Sequence, residues 1–322
     1  MKKILFIIGL CISCLAGHSQ EAQTIALKDS AHVFGEGKIS SGDFAFNASF
    51  TRDGRTVFFS KATVNWNYIA IFYAEKTASG WSDPQPVNFT GTYRDTDPFI
   101  SANGKRLYFA SDRPVNGAPF KDYDYHYFYV ELDGNKVVSK PVLFTLPLPD
   151  GIKANYMSFA DNGNAYFHSA DGKGDGDIYV CKFKDGKYLP PESLSFNDKK
   201  YFDFDAMVAH DESFIIFSSP NRKGLGSIDL WVAFKKDTSW SAPVNLGAKV
   251  NTIGADSAPG LSPDDKKLYF TSYHEKAAER PVYKDGKPTA EAINKLLHST
   301  KNGLRNIYEI DISDLKQSTP AQ

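Results

Sequence analysis

Hydrophobic and polar positions along this chain alternate in short runs, and the runs recur. Five segments share one pattern: a short apolar strand, a tight polar turn, then an apolar strand that closes on Phe and one small or polar residue. The first reads Ala48-Ser49-Phe50-Thr51-Arg52-Asp53-Gly54 into Val57-Phe58-Phe59-Ser60, and the second Pro98-Phe99-Ile100-Ser101-Ala102-Asn103-Gly104 into Leu107-Tyr108-Phe109-Ala110. The third runs from Met157 through Asn162-Gly163 to Phe167-His168, the fourth from Ala206 through Asp211-Glu212 to Phe217-Ser218, and the fifth from Pro259 through Asp264-Asp265 to Phe270-Thr271. Period-two alternation broken by Asn-Gly or Asp-Gly predicts a β-hairpin, because those residues supply the positive φ values a tight turn needs. Glu212 and Asp265 stand where the other repeats have Gly, so those two hairpins are expected to turn differently.

Each hairpin is followed by a third apolar run, such as Tyr68 to Ala74 and Tyr125 to Leu132, and four of them by a weaker fourth, such as Gln85 to Phe89 and Ala242 to Leu246. Four antiparallel strands recurring every 49 to 59 residues predict an all-β protein, a five-bladed β-propeller of four-stranded antiparallel blades near residues 43–90, 95–147, 153–196, 203–247 and 256–313. One blade cannot bury both of its faces alone, so blades stack into a ring. The fifth unit lacks a fourth strand after Ile312. Ser30 to Gly35 matches Ser241 to Gly247 in pattern, so residues 31–35 are expected to complete the last blade and close the ring with an N-terminal strand.

The run Trp240-Ser241-Ala242-Pro243-Val244-Asn245-Leu246-Gly247, followed by Val250-Asn251-Thr252, Asp256, Ser262-Pro263-Asp264 and Leu268-Tyr269-Phe270-Thr271-Ser272, resembles the PD40 repeat, a WD40-like propeller repeat shared with TolB and common in envelope proteins of Bacteroidota. The resemblance extends over about residues 40–313. It implies a propeller of the cell envelope and implies little about activity, since the motif is a scaffold signature. The repeat often accompanies an OmpA-like peptidoglycan-binding domain; no such segment is seen in this sequence, so direct peptidoglycan anchoring is not expected.

Residues 1–19 read as a signal peptide: Lys2 and Lys3 precede an apolar run from Ile4 to Ala16, too short for a permanent span. Two processing routes stay open, cleavage near residue 19 and lipidation at Cys14. Either predicts export to the periplasm, the outer membrane surface or the medium. The expected mature unit is one domain over residues 20–313 with a tail over 314–322. Cys181 would then be its single cysteine, read as a buried core residue, and no internal disulfide is expected. A net charge of −1 gives no basic surface for nucleic acid. Aromatic content of 14% sits largely in strand-like runs.

In a four-stranded blade the loops between strands two and three and the links between blades share one face. That face collects the candidate site residues: the blade-entry carboxylates Asp95, Asp97, Asp203, Asp205 and Asp256, the arginines Arg113 and Arg222, and His274 and Trp66. Asp97 and Asp205 are the pair to test for general acid–base chemistry; the plainer reading of the entry carboxylates is turn capping. Arg113 and Arg222 read either as a clamp for an anionic group or as ion pairs. Trp66 is a stacking candidate, whereas Trp81 and Trp240 occupy equivalent repeat positions and read as packing. Asp171 to Asp177 has calcium-loop character, with Lys173 standing where an oxygen ligand belongs. His126, His168, His210 and His274 lack zinc-site spacing. No metal, no cofactor and no catalytic motif is expected. The leading expectation is a monomeric, non-enzymatic binding or scaffold propeller for an envelope protein or a glycan; the alternative is a glycoside hydrolase or lyase acting on polysaccharide.

Overall fold

A computed structural model describes residues 24–170, 176–273 and 287–315. Five small antiparallel sheets are arranged as a five-bladed β-propeller. The inner strands are Phe44–Phe50, Asp95–Ile100, Asn155–Phe159, Phe204–Val208 and Ala255–Leu261, and each pairs with the second strand of its hairpin. Third strands follow at Ile69–Thr77, His126–Asp133, Gly176–Cys181, Asp229–Lys236 and Asn306–Asp311. Outer strands are short: Gln85–Pro86, Val142–Phe144, Glu192–Ser193 and Val244–Asn245.

The last blade takes its outer strand from the beginning of the chain. His32 pairs with Glu309 and Val33 with Tyr308, antiparallel, and the Phe34 N–H donates to the Ile307 carbonyl. Upstream, the Ile25 N–H donates to the carbonyl of Asn245 at the edge of blade 4, and Ala31 to that of Lys249. The segment therefore ties blade 4 to blade 5 before it enters blade 1. Phe34 is buried where blades 5 and 1 meet, its ring 4.8 Å from Tyr269, 5.5 Å from Trp81 and 5.7 Å from Phe50.

The Phe that ends each second strand is the structural reason for the repeat. Phe59, Phe109, Phe167, Phe217 and Phe270 are all essentially inaccessible and pack between neighbouring sheets, each supplying the large apolar area that a ring of thin sheets requires. Trp81 and Trp240 pack between blades as expected, Trp240 with its ring 6.1 Å from Tyr166.

The five hairpin turns are one turn. The N–H at the fourth turn position donates to the carbonyl three residues back in every repeat, from Gly54, Gly104, Gly163, Glu212 and Asp265. Glu212 and Asp265 adopt φ of 60° and 57°. The expectation of a different turn at these two positions is thus overturned: contacts to the neighbouring repeat hold a side chain in the left-handed region. Glu212 accepts hydrogen bonds from Asn162, Asn164 and the Tyr166 hydroxyl in blade 3. Asp265 accepts from the His210 backbone N–H and pairs with its ring at 2.5 Å.

Candidate functional site

Every inner strand carries one irregularity, at the same place. Register shifts between Phe46 and Ser49, Thr96 and Phe99, Asn155 and Ser158, Phe204 and Met207, and Ser257 and Gly260. Inside each bulge one non-glycine residue is left-handed: Asn47 (φ 56°), Asp97 (52°), Tyr156 (48°), Asp205 (49°) and Ala258 (52°). Such a conformation costs an L-residue about 1–2 kcal/mol. Five-fold repetition shows it to be a design element of the ring, and bulges are a common means of re-aiming side chains.

These five residues surround the propeller axis and line a cavity of about 320 Å³ on the loop face, with Phe46, Trp66, Thr96, Tyr123, Tyr125, Tyr127 and Arg305 among its other walls. The Tyr156 hydroxyl donates to the Pro259 carbonyl at 2.8 Å. That bond runs from blade 3 to blade 5, which are not neighbours, so it crosses the axis as a strut. A larger groove of about 540 Å³ lies on the hairpin face, lined by Arg52, Arg55, Glu75 and Lys76 among others. Its charged side chains are mostly exposed, whereas the axial cavity holds two carboxyl groups that burial perturbs strongly.

Two carboxyl groups share the axial cavity. Burial pushes the Asp97 carboxyl up to about 6, against hydrogen bonds from Thr96 and Asn47. Burial, with the Asp97 charge adding to it, pushes Asp205 up to about 8, while Arg305 and the Ala258 N–H oppose the shift. Asp205 therefore holds its proton more tightly than Asp97 does, which makes Asp205 the donor of the pair and Asp97 the acceptor. His168 stands behind this site. Its Nδ1 accepts the Asp205 backbone N–H at 3.1 Å, which requires a neutral ring, and burial pushes its value down to about 4.

The Asp-x-Asp pairs of the blade entries divide between two roles. Asp97 and Asp205 face the axis. Asp95 and Asp203 are buried against arginines, with Arg113 Nη2 2.6 Å from Asp95 and Arg222 making two contacts of 2.9 and 2.6 Å to Asp203. The left-handed residue in the bulge breaks the alternation that would otherwise point i and i+2 the same way. Asp256, at the same entry position, accepts from the Thr252 N–H and hydroxyl, and burial pushes it up to about 6.

Of the sequence candidates, the structure therefore brings Asp97, Asp205 and Trp66 together. Arg113 and Arg222 are consumed by ion pairs, sit over rings of their own blades (Phe109 and Phe128; Tyr201, Phe217 and Trp231), and are not among the cavity's lining residues. His274, Cys14 and residues 171–175 of the calcium-type loop lie outside the described residues. Among the described residues no cluster of three or more His, Cys, Asp or Glu is disposed to hold a metal ion. Sequence reasoning missed Asn47, Tyr156, Ala258 and Arg305. Alignment of the repeats at the fixed offset before each hairpin would have marked the first three, since Asn47, Asp97, Tyr156, Asp205 and Ala258 are equivalent positions.

No known family model matches the chain, and no curated protein matches it. Solved structures do. The chain is similar to a TolB-type protein from Agrobacterium tumefaciens (13% identity, TM-score 0.48, 89% of this chain and 99% of that one). It is similar to a protein of unknown function from Dyadobacter fermentans (11%, 0.48, 88% and 97%). It is also similar to an α-L-arabinofuranosidase from Lactobacillus brevis (14%, 0.50, 87% and 92%). At these identities the likeness speaks to the fold alone.

Proposed function

We propose that this protein is an exported binding propeller of the cell envelope and that the axial cavity receives a saccharide. The observation that carries the reading is the cavity's composition. Trp66, Tyr123, Tyr125 and Tyr127 contribute aromatic walls, and Asp97 and Asp205 offer an acceptor and a donor within the same about 320 Å³. A concave site with apolar aromatic walls and a few converging polar groups is the usual form of a small-ligand site. Sugar rings present apolar C–H faces and peripheral hydroxyls, which match those two kinds of surface. The PD40-type repeats and the Lys2-Lys3 to Ala16 leader support an envelope location.

Titration of the purified chain with a glycan panel, followed by tryptophan fluorescence and calorimetry, tests the reading. Saturable binding weakened at least tenfold in Trp66→Ala is expected. Binding that Trp66→Ala and Asp97→Asn both leave unchanged would place the ligand elsewhere.

One observation favours a second reading, glycoside hydrolysis or elimination: two carboxyl groups share one cavity and their environments push their proton affinities apart. Release of new reducing or unsaturated ends from polysaccharide, lost in both Asp97→Asn and Asp205→Asn, would make the protein an enzyme. Tight binding without release would leave it a binding protein.

A further inference from the structure

Arginine side chains on the loop face are almost all spoken for. Arg94 Nη1 lies 2.7 Å from Asp112 and 2.8 Å from Asp122. Arg113 is bound to Asp95 and Arg222 to Asp203. Arg305, just before the third strand of blade 5, differs. Its guanidinium carbon lies 5.2 Å from the centre of the Phe44 ring, 5.3 Å from Tyr273 and 5.7 Å from Trp66. It lines the axial cavity beside Asp205, yet it forms no ion pair with any carboxylate among the described residues. Asp205 feels its charge at a distance only.

The arginines in blades 2 and 4 have both a ring cage and a buried carboxylate partner. Arg305 keeps the rings and has no such partner among the described residues. Its backbone is fixed, since the Arg305 carbonyl accepts the Ala45 N–H at 3.2 Å. A guanidinium packed against aromatic rings at the cavity wall, with no carboxylate partner among the described residues, has its donors available to a ligand. Its planar fork of donors matches a carboxylate in two-point geometry.

We propose that Arg305 is the carboxylate-recognition residue of the axial cavity, and that the saccharide it receives carries a uronic acid. This rests on the saccharide reading above and narrows it. Asp205, whose proton burial holds up to about 8, can donate to a ligand oxygen, and the Arg305 charge offsets that of Asp97. Trp66 serves twice, as a stacking surface for the sugar and as one wall of the Arg305 cage. The function that sequence reasoning offered to Arg113 and Arg222, holding an anionic sugar, thereby passes to an arginine two blades or fewer away that no repeat pattern singles out.

The test uses matched pairs: digalacturonate, diglucuronate and dimannuronate, each against its methyl ester, which keeps the shape and removes the charge. The purified chain is titrated by calorimetry and tryptophan fluorescence, with 6-sulfogalactose and the corresponding neutral disaccharides as further arms. For the unaltered protein, at least one acid is expected to bind tenfold or more tighter than its ester. Arg305→Met should bring acid and ester to equal affinity while ester binding persists, which also shows that the cavity is intact. Arg305→Lys should retain part of the preference, because it keeps the charge and loses the fork. If every ester equals its acid, or the preference survives in Arg305→Met, the proposal is wrong. A sulfated sugar that outcompetes all the acids overturns the carboxylate assignment. Neutral sugars that bind with no acid preference leave the saccharide reading standing and remove this one; absence of binding by every sugar removes both.

Discussion

A carboxyl group that folding desolvates holds its proton more tightly than it does in the unfolded chain, and Asp205 is the strongest case here. Its folded value of about 8 lies above the ordinary 3.8, so the folded state binds more protons between those limits. Stability must then fall as pH rises from about 4 through about 8. Asp97 acts in the same direction over a narrower window, up to about 6. His168 acts in the opposite one: its folded value of about 4 lies below 6.5, so its contribution is lost as pH falls from about 6.5 to about 4. Urea denaturation at pH 5, 7 and 9 separates them. Asp205→Asn, neutral at every pH, should flatten the alkaline decline and exceed the unaltered protein at pH 9 by about 1–3 kcal/mol, a range set below the full shift because the side chain retains some exposure. Arg222→Ala should do the reverse. Asp203 would be left buried without its cation, at a cost of about 3–5 kcal/mol, while saccharide affinity of the folded protein stays unchanged because Arg222 lies outside the cavity.

At the scale of elements, the inner-strand bulge is the feature that turns a scaffold into a site. A regular strand would alternate its side chains between the two inter-blade packing layers; the left-handed residue turns one of them toward the axis instead. Ala258 isolates this backbone effect, since its side chain is small. Ala258→Gly should be tolerated within about 0.5 kcal/mol. Ala258→Val should cost about 2 kcal/mol, because a β-branched side chain tolerates φ of 52° poorly. Thermal or denaturant midpoints of the two variants give the comparison. The hairpin turns teach the same lesson in reverse. Glu212 and Asp265 occupy positions whose conformation suits glycine, and hydrogen bonds that their carboxylates accept from the adjacent repeat compensate for the strain.

For the whole molecule, closure decides stability. Each interface between blades is one link of a ring, and the link between blades 5 and 1 depends on residues that begin the chain. Phe34→Ala removes a buried ring from the junction with Phe50, Trp81 and Tyr269 and should cost about 3–5 kcal/mol. Deletion through residue 35 should do more. The Asn306–Asp311 strand becomes an open edge, and unpaired edges recruit other chains. Size-exclusion chromatography of the truncated protein should show oligomers or aggregate where the full chain gives one species.

What the sequence determined by itself follows from local chemistry repeated five times. The recurring Phe at the end of each second strand and the Asn-Gly and Asp-Gly turns specify hairpins and their spacing. The missing last strand, matched by Ser30 to Gly35, specifies closure. The hairpin and turn signals are local, so they survive in a linear reading. Tertiary structure decided what faces the axis. Asp95 and Asp97 are two residues apart and look alike on paper, yet one is sealed against Arg113 and the other lines the cavity. The difference arises from a bulge whose position is set by pairing with a neighbouring strand. Arg305 stood apart for a related reason: its want of a carboxylate partner among the described residues shows only once blades 1 and 5 have been brought together in space.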